Sequence, residues 1–195
     1  MDFLTRSAAR FRGRLLGVVG VAMAATLVAA PAIASGHGAD VTSDVAVKAA
    51  FLYNFAKFAE WPALPAGAHI VACVVGDDRI AAALVETVRG QEIDGHALEV
   101  LRPQDSVTWR VCQLLFIAAA ETQRSAAGLG AIKSLPILTV SDGKGFAEAS
   151  GIIEFYVEGG RMRFAINVDA AERSGLRLSS RLLGLAKVIR NGHVP

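Results

Sequence analysis

Residues 47–62 read VKAAFLYNFAKFAEWP, and their apolar side chains recur at helical spacing. Phe51, Phe55 and Phe58 are separated by four and three residues, so they share one face of a helix, with Val47 one turn before them. Pro62 restricts the residue before it, and we expect the helix to end there. A helix with so much aromatic surface must be covered by the chain's own sheet, by a second copy or by a partner.

The first 34 residues have the composition of an export signal. Four arginines precede an uncharged apolar run that reaches Ala30, and Ala32-Ile33-Ala34 offers the small residues of a cleavage site. We therefore predict a signal peptide over residues 1–34, cleaved near Ala34, and a periplasmic protein. The alternative is an uncleaved N-terminal anchor.

Three further segments follow the signal. Residues 35–43 are predicted to be a flexible spacer, and Thr42, Ser43 or Asp44 could cap the aromatic helix. Residues 44–190 are predicted to form a single domain, and residues 191–195 a tail.

The charge balance argues against a nucleic-acid partner. Residues 1–34 hold four of the 20 Lys and Arg residues and one of the 18 Asp and Glu residues. The rest of the chain therefore has 16 basic and 17 acidic residues, a formal net charge of −1. No cluster of Lys and Arg remains that could neutralise a row of phosphates.

The two cysteines, Cys73 and Cys112, bear on the redox compartment. In an oxidising periplasm, an even number of cysteines favours one disulfide. It would close a loop of about 40 residues and contribute roughly 4 kcal/mol in the chain-entropy model. The alternative is two buried free thiols.

Apolar runs of strand length alternate with helical patterns after residue 68. The predicted strands are residues 69–76, 97–101, 111–119 and 137–140. One predicted helix follows Asp77-Asp78 and stops at Gly90, and a weaker one covers residues 121–133. This alternation indicates βαβ units in a largely parallel sheet.

The pattern changes near the C-terminus. Residues 152–157 and 162–168 are β-rich runs, and the Gly159-Gly160 pair between them is a hairpin signal. Residues 179–189 are predicted to form a closing helix. The predicted fold class is thus α/β, a mostly parallel sheet flanked by helices, with a C-terminal β-hairpin and a closing helix.

The predicted sheet can cover only part of the aromatic helix, so we expect different roles for its aromatic residues. Phe51 and Phe55 should lie in the core, under the sheet. Phe58 and Trp61, near the end that Pro62 defines, are the better candidates for a dimer or partner surface.

Two catalytic patterns are incomplete. Asp77-Asp78 follows the first strand as in a phosphoacceptor site, but no Asp follows the third strand, which favours N-capping. Ser141 and Lys144 match S-x-x-K, but that chemistry needs the serine on a helix, and Asp-Gly here makes a turn. We predict no catalytic residue, no cofactor and no metal site.

The densest polar cluster lies between the hairpin and the predicted closing helix. Arg173, Arg177 and Arg181 could face an acidic partner surface, and Ser179 could contact the partner or cap the helix. The alternative is a solvated helix start without a binding role.

Several segments together resemble the YfiR family of exported proteins. They are VKAAFLYNFAKFAEWP, CVVGDD, VCQLLFI and the region from LPILTVSDGKG to the end of the domain. The most specific piece is FAINVDAAERSGLRLSSRLLGLA, residues 164–186. The resemblance covers essentially all of residues 44–190.

The resemblance implies a small periplasmic α/β domain, often dimeric, without known catalysis. In the YfiR system such a protein restrains a membrane-bound diguanylate cyclase by binding its periplasmic sensor domain, and an outer-membrane lipoprotein can sequester it. Cys73 and Cys112 fall where the family has a structural disulfide. The founding type has a second cysteine pair around the late hairpin, which this sequence lacks.

The expected function is therefore an exported, non-enzymatic regulatory binding protein that lowers cyclic-di-GMP signalling. Its expected partners are a membrane-bound sensor protein, above all a diguanylate cyclase, an outer-membrane lipoprotein and a second copy of the chain. The alternative is a periplasmic solute-binding or assembly module that serves a sensor kinase or a TonB-dependent receptor.

Overall fold

The computed structural model describes the backbone of residues 37–61 and 64–190. The predicted signal peptide, Pro62 and the predicted tail lie outside these residues. None of the helices in this part of the chain has the length and hydropathy needed to span a bilayer.

Helices and strands alternate along the domain. The helices are α1 (His37–Lys57), α2 (Asp78–Val88), α3 (Ala126–Ile132), α4 (Val168–Arg173) and α5 (Ser180–Leu183). The strands are β1 (Ala59–Glu60), β2 (Ile70–Val75), β3 (Glu92–Ile93), β4 (His96–Leu101), β5 (Leu114–Ile117), β6 (Leu138–Ser141), β7 (Ile153–Glu158), β8 (Arg161–Asn167), β9 (Arg177–Leu178) and β10 (Lys187–Ile189). Two 3₁₀ turns, Thr108–Val111 and Ala119–Glu121, flank β5.

The main sheet has the strand order β10-β8-β7-β6-β5-β2-β4-β3. From β4 through β2, β5 and β6 to β7, each strand pairs in parallel with the next. The pairs β3–β4 and β7–β8 are antiparallel, and β7–β8 is the late hairpin. The side chains of β5 and β6 are buried along their whole length, as expected for strands covered on both faces. The predicted α/β class with a mostly parallel sheet and a late hairpin is confirmed.

The first helix is longer than predicted. It begins at His37, so residues 37–43, which we expected to be a flexible spacer, are helical. Thr42, Ser43 and Asp44 therefore lie inside the helix and do not cap it. These residue types cost no more than about 0.7 kcal/mol each in a helix interior, which a well-packed helix tolerates.

The buried face of α1 is rotated from the predicted line of residues. Leu52, Phe55 and Ala56 are fully buried, whereas Phe51 is half-buried and Val47 is 37% exposed. The Phe55 ring packs against one aromatic ring from each hairpin strand. The distance between ring centroids is 5.5 Å to Phe155 and 5.0 Å to Phe164. The expectation that Phe55 is core is thus confirmed, and Phe51 lies at the edge of the same aromatic cluster.

The prediction of a closing helix over residues 179–189 is wrong for most of these residues. Only α5 is helical, and residues 187–189 instead form β10, which pairs in parallel with β8. Gly184 follows α5 directly, and glycine disfavours helix continuation by about 1 kcal/mol. Val188 and Ile189 are β-branched, and the free edge of the hairpin offers them backbone hydrogen bonds.

Another predicted helix, residues 121–133, is also shorter than expected. The Ala119–Glu121 turn precedes α3, which begins only at Ala126. Gly128 of α3 lies against Trp109, where an added Cβ would approach the indole ring to 2.6 Å. A glycine that weakens the helix by propensity is therefore required by packing.

The two cysteines form the predicted disulfide. Cys73 lies on β2 and Cys112 lies two residues before β5, with the Cα atoms 5.8 Å apart. Both side chains are buried next to Trp109. The bond therefore cross-links two adjacent strands at the centre of the sheet.

We expect Phe55→Ala to lower the free energy of unfolding by about 3–5 kcal/mol, because it leaves a cavity between α1 and the hairpin. Urea unfolding followed by circular dichroism measures this change. Val47→Ala, on the exposed side of the same helix, should stay within about 0.5 kcal/mol of the wild type. Equal losses in the two variants would contradict the packing described here.

We expect replacement of both cysteines by alanine to cost roughly 4 kcal/mol, because a loop with a sequence separation of 39 residues is then open in the unfolded chain. Chemical denaturation of the oxidised and double-alanine proteins gives the difference. Non-reducing mass spectrometry of the wild type should show Cys73 linked to Cys112, and two alkylatable thiols would contradict the bond.

Candidate partner-binding surface

Helix α1 and the residues after it reach both ends of the central strands of the sheet. Near its first half, the Lys48 ammonium lies 2.8 Å from a carboxylate oxygen of Asp142, which follows the carboxyl end of β6. Beyond its last turn, the Trp61 indole N–H donates to the Gln113 carbonyl, 3.2 Å away, just before β5. The helix therefore places different side chains at opposite edges of the sheet.

A second, two-stranded sheet brings distant candidate residues together. Strand β1 follows α1 directly and pairs antiparallel with β9, with Glu60 opposite Arg177. The Ser179 amide donates to the Phe58 carbonyl at 3.0 Å. The aromatic end of α1 and the polar cluster before α5, which are far apart in sequence, thus form one surface.

We call this the β1–β9 surface and define it by five residues, Phe58, Trp61, Arg177, Ser179 and Arg181. Phe58 and Trp61 are half-buried, so each ring packs on the core with one side and faces outward with the other. Arg177 and Arg181 are exposed and form no ion pair within residues 43–61 and 64–190. Protein-binding hot spots are enriched in aromatic and arginine side chains, and this surface combines half-exposed aromatic rings with guanidinium groups that form no ion pair among the described residues.

Two of the predicted contact residues have other positions or roles. Ser179 caps α5, because its hydroxyl oxygen accepts a hydrogen bond from the Leu182 amide at 3.3 Å. Arg173 is exposed in the last turn of α4, which precedes β9. Ser179 therefore shapes the β1–β9 surface, and among the described residues Arg173 forms no ion pair with any of its five members.

The carboxyl edge of the sheet holds a charged cluster that sequence analysis missed. The Lys48 ammonium lies 2.9 Å from Asp44 and 2.8 Å from Asp142, and only 12% of the Lys48 side chain is exposed. Asp142 also accepts a hydrogen bond from the Ala119 amide at 2.7 Å. The i,i+4 spacing of Asp44 and Lys48 on one helix is the signal that the sequence offers for this cluster.

Opposing effects act on the Lys48 ammonium. Burial alone would lower the pKa of Lys48, but the hydrogen bonds and negative charges of Asp142 and Asp44 outweigh it and raise that pKa above 10.5. Charged Lys48 therefore links α1 to the loop after β6 through its ion pair with Asp142.

The two catalytic patterns of the sequence serve structural roles. Asp77 is the N-cap of α2, and its bond to the Arg79 guanidinium lowers the pKa of its carboxyl below the usual value. Ser141 is fully buried at the end of β6, where its hydroxyl accepts from the Gly143 amide at 2.9 Å. Because Ser141 is not on a helix, Lys144 is not held one turn away as acyl-serine chemistry needs.

No cluster of three or more His, Cys, Asp or Glu side chains suited to a metal ion occurs in the described ranges. The geometry instead defines a small, disulfide-linked α/β domain with a mixed aromatic and cationic surface.

The comparison with protein families gives this class a more specific meaning. The model of the DUF4154 family, described as YfiR/HmsC-like, matches residues 45–187, and the chain belongs to this family. Membership suggests a periplasmic regulator of diguanylate cyclases, and the disulfide is consistent with export. No curated protein matches the chain.

One solved structure similar to this chain is a conserved domain protein from Vibrio cholerae O1 biovar El Tor. The two are 12% identical, with a TM-score of 0.44, over 74% of this chain. The match covers 59% of the length of the Vibrio chain.

We expect Lys48→Met to lower the free energy of unfolding by about 1–3 kcal/mol at neutral pH, because Asp142 loses its charged partner in a partly buried position. The raised pKa means that the contribution of Lys48 is complete below pH 10.5 and is lost as the pH rises through the folded-state value. Urea unfolding between pH 7 and 11 should therefore show a steeper alkaline loss for the wild type than for the variant.

The matched control is Lys57→Met, which removes an exposed lysine from the last turn of the same helix. Its alkaline stability profile should follow that of the wild type. If Lys48→Met and Lys57→Met gave the same dependence of stability on pH, the ion pair of Lys48 with Asp142 would not contribute to stability.

Proposed function

We propose that this protein is an exported, non-enzymatic regulator that restrains a membrane-bound diguanylate cyclase by binding its periplasmic sensor domain. The observation that carries the proposal is the β1–β9 pairing, which joins Phe58 and Trp61 to Arg177 in one surface. Membership in the YfiR/HmsC-like family supports the type of partner.

The contact chemistry follows from the exposed groups. Arg177 and Arg181 can each form a two-point hydrogen bond with a carboxylate, so the partner should present Asp or Glu side chains. Phe58 and Trp61 offer flat apolar area at low entropic cost, so an apolar depression should lie beside those carboxylates. Arg173, on the preceding helix, would extend the cationic region.

The surface is pre-organised for such a contact. Trp61 is fixed by its hydrogen bond to Gln113, and the β1–β9 pairing holds the backbone of Arg177. Binding then requires little ordering of the chain, which leaves more of the contact energy as affinity.

We expect Trp61→Ala combined with Arg177→Glu to abolish binding to the sensor domain, because loss of an aromatic anchor and a charge reversal each cost on the order of 2 kcal/mol or more. Affinity capture from solubilised membranes, with mass spectrometry of the bound proteins, identifies the partner. In cells, the variant should raise cyclic di-GMP and biofilm formation to the level of a strain that lacks the gene.

Arg110→Glu is the matched control, since Arg110 is exposed on the 3₁₀ turn before β5 and outside the β1–β9 surface. It should bind as the wild type does. Unchanged cyclic di-GMP in the deletion strain would contradict the proposal, and specific capture of a sensor kinase or a TonB-dependent receptor would favour another envelope system.

A second copy of the chain is the other proposed occupant of the same surface. Sedimentation equilibrium of the wild type and the double variant distinguishes the two uses. A dimer that persists in the variant while sensor binding is lost would assign the β1–β9 surface to the sensor alone.

A further inference from the structure

A cavity of about 590 Å³ lies between α3 and the loop that joins β6 to β7. Its floor is apolar and includes Ile132, Ile137, Phe146 and Ile152. The volume falls within the range of about 300–1,000 Å³ that small-molecule sites occupy. It has no part in the β1–β9 surface, so an inference from it goes beyond the proposed function.

The walls of this cavity are held in place by packing. In one wall, Gly128 seats α3 against Trp109, as described above. In the other, Gly151 lies against Phe146, where an added Cβ would overlap the ring. The Glu154 carboxylate fixes the loop by accepting hydrogen bonds from the Gly145 and Ala147 amides at 3.1 and 3.0 Å. The cavity is therefore preformed.

The charged lining of the cavity has one sign. Lys133 and Lys144 line it, and none of its described lining residues is acidic. Both lysines are exposed, and neither forms an ion pair with another described residue. An adjacent cavity of about 560 Å³, which shares Lys144, contrasts with it because Asp44, Asp142 and Glu154 also line that one.

We propose that the α3 cavity binds a small anionic amphiphile. Its apolar body packs on Ala126, Leu129 and Ala149, the accessible apolar lining around the buried floor, and its anionic group pairs with Lys133 and Lys144. Burial of this accessible apolar lining gives affinity by desolvation, and the two lysines select a negative head group over a neutral one.

Two fluorescent probes with nearly the same aromatic body test the charge requirement. The anionic probe is 8-anilinonaphthalene-1-sulfonate, and the neutral probe is N-phenyl-1-naphthylamine. The purified wild-type protein should bind one sulfonate per chain, and added salt should weaken that binding. The double variant Lys133→Glu with Lys144→Glu should weaken sulfonate binding by at least about tenfold and change neutral-probe binding by less than about threefold.

Two further variants locate the site. Lys187→Glu changes an exposed lysine that lines only the adjacent cavity, and it should leave both affinities unchanged. Gly130 lines the α3 cavity within a helix, and an added Cβ there meets no atom within 4 Å. Gly130→Leu should therefore fold, as thermal unfolding will verify, and weaken both probes by filling space.

The inference is overturned if the wild type binds no sulfonate. It is also overturned if the double lysine variant keeps its sulfonate affinity or loses both probes equally. A loss of sulfonate binding in Lys187→Glu equal to that in the double variant would place the anion elsewhere and reject the α3 cavity.

Discussion

The aromatic contact between α1 and the β7–β8 hairpin is the interaction on which the rest of the structure depends. Phe55 is fully buried, and its ring contacts Phe155 on β7 and Phe164 on β8. This contact lies in the last turn of α1, so it fixes the end of the helix that leads into Phe58 and the β1–β9 surface. Lys48, near the middle of α1, lies at the carboxyl edge of the sheet.

The residues that stabilise the domain are thus different from the exposed residues proposed to contact a partner. The disulfide and the aromatic cluster stabilise the sheet from within, while the arginines of β9 and α5 remain uncommitted at the surface. A family of regulators that acts by binding needs this arrangement, since a rigid surface can recognise a partner without first being ordered. The α3 cavity lies in a separate region, lined by α3, the Ala119–Glu121 turn and the loop between β6 and β7.

The sequence predicts those features that depend on local pattern. Continuous apolar runs marked the central strands, Gly159-Gly160 marked the hairpin, and Asp77 marked the start of α2. The features that were wrong or missed depend on distant neighbours. Residues 187–189 became a strand because β8 offers a free edge, and β1 and β9 are too short to carry a period of their own. The pairing of Lys48 with Asp142 joins residues 94 positions apart, which no local pattern reveals.

The order of these elements along the chain has a consequence for how the domain folds. In a chain that emerges from its N-terminus, α1 is complete long before the hairpin that covers it has been delivered. The Phe55 ring lacks its partners Phe155 and Phe164 during that interval, and the contact must then join residues about 100 positions apart, which slows folding. The first helix therefore keeps part of its aromatic surface exposed until the hairpin has formed, and aggregation during folding is the risk that follows from this order.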